Sequence, residues 1–78
     1  MDTQKALEWI TDIFAVNGRV VTLQDSRETL PEWDSLGSLL LLARLEEDHQ
    51  IITSGDDLAA MTTVREICDL LERNNAFP

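Results

Sequence analysis

The sequence predicts an all-α domain, a bundle of three longer helices and one short helix with a long first loop. Apolar residues recur every three to four positions in three separate segments. No segment alternates apolar and polar residues for long enough to be a convincing strand. The chain has 78 residues, near the lower end of what one hydrophobic core can stabilise, so we expect a single domain over residues 1–78.

The first predicted helix runs from about Thr3 to Val16. Asp2 or Thr3 can serve as its N-cap, and Asn17-Gly18 is the signal that ends it. Its apolar stripe follows helical spacing and consists of Leu7, Ile10 and Phe14, widened by Trp9, Ile13 and Val16.

Residues 19–33 are predicted to form a long ordered loop. They show no sustained period, and Pro31 disfavours a helix through that point. Loops of this length are often functional or wrap the core. We expect four apolar side chains to hold this loop to the bundle: Val21, Leu23, Leu30 and Trp33.

The second predicted helix begins at Asp34 or Ser35, both good N-caps, and runs to about Asp48. Its inner face is assigned to Leu41, Leu42 and Leu45, with the small Ser38 on the same side. The residues on the other side are Leu36, Leu40, Ala43 and Glu47, and Leu39 lies on the border. Because successive residues are offset by about 100°, the leucine run at 39–42 covers every side of a turn, and at least one leucine should be exposed.

The last part of the chain predicts one short and one longer helix. A short helical turn is expected from Ser54 to Met61. Thr63 and Glu66 form a capping box for the last helix, which ends near Arg73. Its apolar stripe consists of Val64, Ile67, Cys68 and Leu71. Residues 76–78 are expected to fray.

Composition and charge exclude several classes of function. Fifteen acidic residues oppose six basic ones, a net charge of −9, which would repel nucleic-acid phosphates and favours basic partners. No apolar run approaches the ~20 residues of a membrane span, and no secretory signal is present. The single cysteine allows no internal disulfide, and no metal site is indicated. We expect a cytoplasmic monomer.

Ser35 is a candidate nucleophile, but no base lies within its reach. His49, the only histidine, lies fourteen residues further along the same predicted helix, which is about 21 Å, whereas hydrogen-bond reach is about 3 Å. The His49 ring is expected near the C-terminal carbonyls of that helix. Cys68 is expected to be a packed apolar side chain. No catalytic residue is therefore assigned, and the protein is not expected to be an enzyme.

A second interpretation of Ser35 rests on its place at a helix N-terminus. The first turn of a helix has unpaired N–H groups and a partial positive charge, which together stabilise a phosphate. A serine there, with leucines and acids on the helix behind it, suits a side chain that another enzyme converts to a phosphodiester.

The chain resembles acyl carrier proteins along its whole length. Asp34-Ser35-Leu36 opens a helix that ends in Leu45-Glu46-Glu47-Asp48, and Thr62-Thr63-Val64 opens the last helix. Asp-Ser-Leu alone is a weak signal, but the three segments at this spacing together are a strong one. The resemblance implies a four-helix bundle whose second helix starts at the modified serine and whose helices close a cleft for an apolar acyl chain.

The resemblance also implies a function. Ser35 would receive 4′-phosphopantetheine from coenzyme A through a phosphopantetheinyl transferase, with Asp34 and Leu36 beside it contributing to the cofactor site. The terminal thiol would hold acyl groups as thioesters for enzymes of fatty-acid, polyketide or related specialised biosynthesis. These acyl-loading and acyl-processing enzymes would dock basic patches on the second helix. The predicted partner-binding residues are Leu39, Leu40, Ala43, Glu46 and Glu47.

The sequence departs from common fatty-acid carriers at several positions. Gly37 and Leu40 stand where acids are usual, Arg44 stands in place of alanine, and His49-Gln50 in place of Phe-Gly. The predicted docking face is therefore more apolar and less negative near Ser35. We expect a specialised carrier with its own partners.

Two alternatives remain open from the sequence. Peptidyl or aminoacyl carriers usually have Gly-Gly-His or Gly-Gly-Asp before the serine, a pattern that Glu32-Trp33-Asp34 does not match. The initial methionine and the absence of a linker favour a free-standing carrier. The other alternative is a small acidic protein-interaction module in which Ser35 is only a helix cap.

Overall fold

The computed structural model describes all 78 residues and contains four helices. They are α1 (Thr3–Phe14), α2 (Ser35–His49), α3 (Gly55–Ala59) and α4 (Val64–Arg73). There is no strand, and the single β-type pairing is an isolated bridge between Ser26 and Thr63. The predicted all-α bundle of three longer helices and one short one, with a long first loop, is confirmed.

One apolar core joins the four helices and the first loop. It contains 17 buried residues, among them Ile10, Leu41, Leu45, Ile67 and Leu71. Among the helices, α1 packs on α2 and α4, whereas α3 packs on α2 alone. The central position of α2 therefore fixes where its first residue, Ser35, stands relative to the rest of the bundle.

Each helix begins with a side-chain cap, and at α2 this cap is Asp34. An Asp34 carboxylate oxygen accepts a hydrogen bond from the Gly37 N–H at 2.9 Å. Asp2, Ser54 and Thr63 cap the other helices in the same way. Of the two N-caps that the sequence allowed for α2, the structure uses Asp34, so Ser35 is the first residue inside the helix and is not needed as a cap.

The predicted end of α1 at Val16, with Asn17-Gly18 as its cap, is wrong. The helix ends at Phe14, and Ala15 takes the left-handed conformation at φ 54°. The Val16 N–H then donates to the Thr11 carbonyl at 3.1 Å, which closes the helix end. Half-buried Val16 packs against the core directly after this turn.

The predicted fraying of residues 76–78 is also wrong for Ala76 and Phe77, which pack on the bundle. Ala76 is buried, and its N–H donates to the Leu71 carbonyl at 3.0 Å. The Phe77 carbonyl accepts a hydrogen bond from the Asp2 N–H at 2.6 Å.

The predicted position of the His49 ring near the carbonyls at the end of α2 is wrong, because the C-terminal Phe77 packs on it. The ring lies edge-on against Phe77 and Trp9, with centroid distances of 4.6 and 4.9 Å.

The first loop is ordered around its four predicted anchors. Val21, Leu30 and Trp33 are buried, and Leu23 is half-buried against the core. The loop also contains a polar centre that the sequence analysis missed, the buried side chain of Asp25. Its carboxylate accepts two hydrogen bonds from Arg19, at 2.8 and 2.9 Å, and others from the Thr22 N–H and the Thr29 hydroxyl. These donors, with the Arg19 hydrogen bond as the main cause, lower the pKa of Asp25 far below its ordinary value.

Gly37 lies where the first loop passes close to α2. A Cβ atom there would lie 2.5 Å from the Glu32 carbonyl oxygen and 3.3 Å from the Phe14 ring.

Gly37→Ala is therefore expected to lower the free energy of unfolding by about 1–3 kcal/mol, measured by urea denaturation. Gly55→Ala is the matched control, because a Cβ there meets nothing within 4 Å, and it should be neutral or stabilising. Equal effects of the two substitutions would contradict the close packing at Gly37.

Candidate functional site

Ser35 stands at the exposed start of α2 with a free hydroxyl. The residue is exposed, and its side chain makes no hydrogen bond within the chain. The backbone N–H groups of Ser35 and Leu36 also lack an acceptor, as is usual in the first turn of a helix. The position thus combines an accessible oxygen nucleophile with donors that favour an anionic group.

Buried Trp33 anchors the turn that precedes Ser35 by packing against α1. Trp33 is only 4% exposed, and its ring stacks on Phe14 with a centroid distance of 5.6 Å and an interplanar angle of 21°. The Arg27 guanidinium lies over the Trp33 ring, 4.4 Å from its centroid. The predicted role of Trp33, to hold the loop against the bundle, is confirmed.

Three leucines of α2 form an exposed apolar surface directly after Ser35. The exposed fractions are 64% for Leu36, 63% for Leu39 and 44% for Leu40. The predicted border position of Leu39 is wrong. The buried line of α2 runs through Gly37, Leu41 and Leu45, and Leu39 lies about 200° of helix rotation from Leu41, on the opposite side.

The inner face of α2 is otherwise as predicted. Leu41 and Leu45 are fully buried, and Leu42 is half-buried against the core. Ser38, also half-buried, lies on that side. Leu36, Leu40, Ala43 and Glu47 are exposed, as expected.

A shallow groove begins one helical turn beyond Ser35. It has a volume of about 300 Å³, with α2 as one wall and residues 51–53, which lead into α3, as the other. The lining residues are Leu39, Leu42, Ala43, Glu46, Ile51, Ile52 and Thr53. Ser35 and Leu39 are four residues apart and share one face of the helix, so the groove opens on the side of the serine.

The acids at the end of α2 fall into two groups. Glu46 and Glu47 are exposed and form no ion pair. Asp48 instead accepts hydrogen bonds from the Trp9 indole at 2.7 Å and from Arg44 at 2.8 Å, which lower its pKa. The free acids at the end of α2 are therefore Glu46 and Glu47, and Asp48 is part of a structural contact between α1 and α2.

The structure does not bring Ser35 and His49 together. They are the first and last residues of α2, and the His49 ring lies between Trp9 and Phe77. None of the helices has the length and the continuous apolar character that crossing a bilayer requires.

Cys68 is buried in α4, as predicted. Burial is the main reason that its pKa is raised to about 11, and the nearby charge of Asp69 adds to the effect. Cys68 should therefore resist iodoacetamide at pH 8 in the folded chain and react only in denaturant, as followed by intact mass. The control is a small free thiol in the same tube. Alkylation of Cys68 at the rate of that thiol would contradict its burial.

Comparison with protein families identifies the region around Ser35. The model described as "Phosphopantetheine attachment site" matches residues 32–71, just over half of the chain, which includes α2, α3 and most of α4. The chain belongs to this phosphopantetheine attachment family. Searches of curated proteins and of solved structures gave no significant match.

The family assignment makes the chain a phosphopantetheine-carrying carrier protein. Its cofactor is a covalently attached 4′-phosphopantetheine, as the resemblance implied. Such a carrier interacts with a phosphopantetheinyl transferase and with other enzymes, and domains of this family are generally not catalytic. The resemblance noted in the sequence is confirmed at the level of the carrier family.

Proposed function

We propose that Ser35 is the attachment residue and that the carrier holds acyl groups as thioesters on its phosphopantetheine arm. The observation that carries this proposal is that Asp34, and not Ser35, caps the start of α2. Asp34 provides the cap through its bond to the Gly37 N–H, and the exposed Ser35 hydroxyl has no partner. A hydroxyl without a structural role beside free helix N–H groups suits a phosphodiester.

The attachment chemistry is the one that the resemblance to carrier proteins implies. The Ser35 hydroxyl oxygen attacks the pantetheine-linked phosphorus of coenzyme A, a P–O bond forms, and the bond to the remaining phosphoadenosine group breaks. The transferase takes the hydroxyl proton. Asp34 keeps the first turn in place, and Leu36, 64% exposed, offers the transferase and the arm an apolar contact beside the serine.

The groove beside α2 is suited to shelter an apolar cargo. Five of its seven lining residues are apolar, and it opens on the face that carries Ser35. An acyl chain on the arm would cover apolar groove surface that otherwise contacts water. Burial of apolar surface contributes about 25 cal/mol of stabilising free energy per Å². This supports acyl cargo from fatty-acid, polyketide or related specialised biosynthesis.

Partner enzymes would dock on the outer face of α2. Leu39, Leu40 and Ala43 supply an apolar contact, and the unpaired acids Glu46 and Glu47 favour partners with basic patches. The net charge of −9 opposes self-association, which favours a monomer.

The apolar character near Ser35 supports a specialised carrier. Gly37 cannot bear an acidic side chain without moving the Glu32 carbonyl, and Leu40 exposes an apolar side chain instead. General fatty-acid enzymes should therefore elongate the loaded chain more slowly than a housekeeping carrier, as measured by product formation. Equal rates would contradict the specialisation and leave the carrier role intact.

The alternative hypothesis, a small acidic protein-interaction module, no longer explains Ser35. That hypothesis explained Ser35 as the N-cap of α2, and Asp34 fills that role. The family match over residues 32–71 also favours a carrier.

The attachment is tested by mass. The purified chain is incubated with coenzyme A, magnesium and a broad-specificity phosphopantetheinyl transferase, and it is weighed intact beside a known carrier. Proteolysis and fragmentation then locate the added group. One phosphopantetheine on the peptide that contains Ser35, and on that residue, supports the proposal. Attachment to another residue, or no attachment while the control carrier is fully modified, would overturn it.

A further inference from the structure

Arg27, in the first loop, is bound to the end of α3 by its side chain. Its Nε–H donates to the Met61 carbonyl at 2.7 Å, and an Nη2–H donates to the Leu58 carbonyl at 2.9 Å. No carboxylate pairs with this guanidinium. Hydrogen bonds from a charged donor are stronger than neutral ones, so these two contacts are a substantial attachment for so short a helix.

Beyond these two bonds, α3 is held by the core side chain of Leu58 and by its packing on α2. The helix has five residues, of which only Leu58 is buried, and it packs on no helix except α2. The following residues are fixed independently, because the Arg27 N–H donates to the Thr62 carbonyl and the Val64 N–H donates to the Asp25 carbonyl. Loss of the Arg27 side chain would therefore loosen α3 while the start of α4 stays tied to the loop.

The same guanidinium also contacts the turn that carries Ser35. It lies 4.4 Å from the centroid of the Trp33 ring. Trp33 is two residues before Ser35 in the chain, and its ring stacks on Phe14. One face of Arg27 thus meets the start of α2, and its N–H groups meet the end of α3. The groove that begins one turn beyond Ser35 lies between α2 and residues 51–53, the segment that leads directly into α3.

We propose that Arg27 is a positioning residue that holds α3 against α2 and thereby sets the opening of the groove beside Ser35. Only one part of this proposal rests on the proposed function of Ser35, namely that the opening of the groove affects an acyl chain held on the arm. The attachment of α3 by Arg27 is a property of the unmodified chain and can be tested without the arm.

The test is amide hydrogen exchange of the unmodified chain and of Arg27→Met, resolved by NMR. Methionine keeps an apolar stem over Trp33 but cannot donate to the two carbonyls. The amides of Leu58, Ala60 and Met61, which bond to acceptors within this segment, should exchange about tenfold faster. The amides of α1 and α4 should change far less. Arg27→Lys, which retains a cation with fewer aligned donors, should fall between the two.

The control is Arg65→Met, which removes an exposed arginine of α4 that makes no side-chain hydrogen bond or ion pair. Its α3 amides should exchange as in the native chain. Unchanged α3 exchange in both Arg27 variants would overturn the proposal. Equal acceleration of all amides would also overturn it, because Arg27 would then stabilise the whole fold without positioning α3. Transferase modification of the same proteins tests Ser35 separately.

Discussion

Ser35→Ala is expected to abolish phosphopantetheine attachment while the free energy of unfolding stays within about 0.5 kcal/mol of the native value. The hydroxyl oxygen is the atom that joins the arm, so its removal leaves nothing for the transferase to modify. The side chain makes no hydrogen bond in the fold, and Asp34 retains the cap. Intact mass after transferase treatment and urea denaturation of the same preparation measure the two effects.

Asp34→Ala provides the matched comparison. Loss of its carboxylate leaves the Gly37 N–H without an acceptor and should lower the free energy of unfolding by about 1 kcal/mol. Asp34→Asn should retain most of that stability, because asparagine is also a good N-cap. A loss of stability in Ser35→Ala as large as that in Asp34→Ala would show that the serine has a structural role, and residual modification of Ser35→Ala would show a second attachment residue.

Asp25→Asn is expected to lower the free energy of unfolding by about 2 kcal/mol at pH 7. The substitution removes the charge that Arg19 binds through two hydrogen bonds. It also turns one carboxylate oxygen into an NH2 donor, which then faces an Arg19 N–H and either the Thr22 N–H or the Thr29 hydroxyl. Because the carboxylate is buried, water cannot replace these contacts. Asp69→Asn, an exposed change of the same kind on α4, should have little effect.

The effect of Asp25→Asn should depend on pH. The pKa of Asp25 is lowered in the folded chain, so folding favours its ionised form. The resulting stability is fully present above the unfolded-state pKa of about 3.9 and is lost as the pH falls toward the lower folded-state value. The gap between the native chain and Asp25→Asn should therefore narrow below about pH 4 in urea titrations. A gap that stays constant from pH 7 to pH 3 would contradict a role for the charge.

The elements with strong local signals were predictable from the sequence. The α4 stripe and the Thr63–Glu66 capping box are short-range patterns, and α4 begins and ends where they indicate. The start of α2 at Asp34 or Ser35 followed from cap preferences, and the carrier assignment followed from the segments around Ser35. The caps and the stripe depend on residues within one or two helical turns of each other, whereas the carrier assignment depended on three such local segments at a fixed spacing.

The features that were missed depend on contacts between distant segments. The His49 ring packs on Trp9 and Phe77, which are far away in sequence, so no local rule places it. The position of Leu39 depends on which leucines face the core, and that rotation of α2 is set by packing against α1, α3 and the first loop. Arg27 joins α3 across 31 and 34 residues, and a single basic residue in a loop gives no pattern from which to predict this.

The placement of the two tryptophans gives this carrier an internal optical reporter. Trp9 and Trp33 lie near opposite ends of α2: the Trp9 indole donates to Asp48, and Trp33 is buried just before Ser35. In Trp9→Phe, all indole fluorescence would come from the turn that precedes Ser35. Its emission should be blue-shifted and poorly quenched by acrylamide. Movement of Arg27 away from the ring would then be visible as a change of emission in the unlabelled protein.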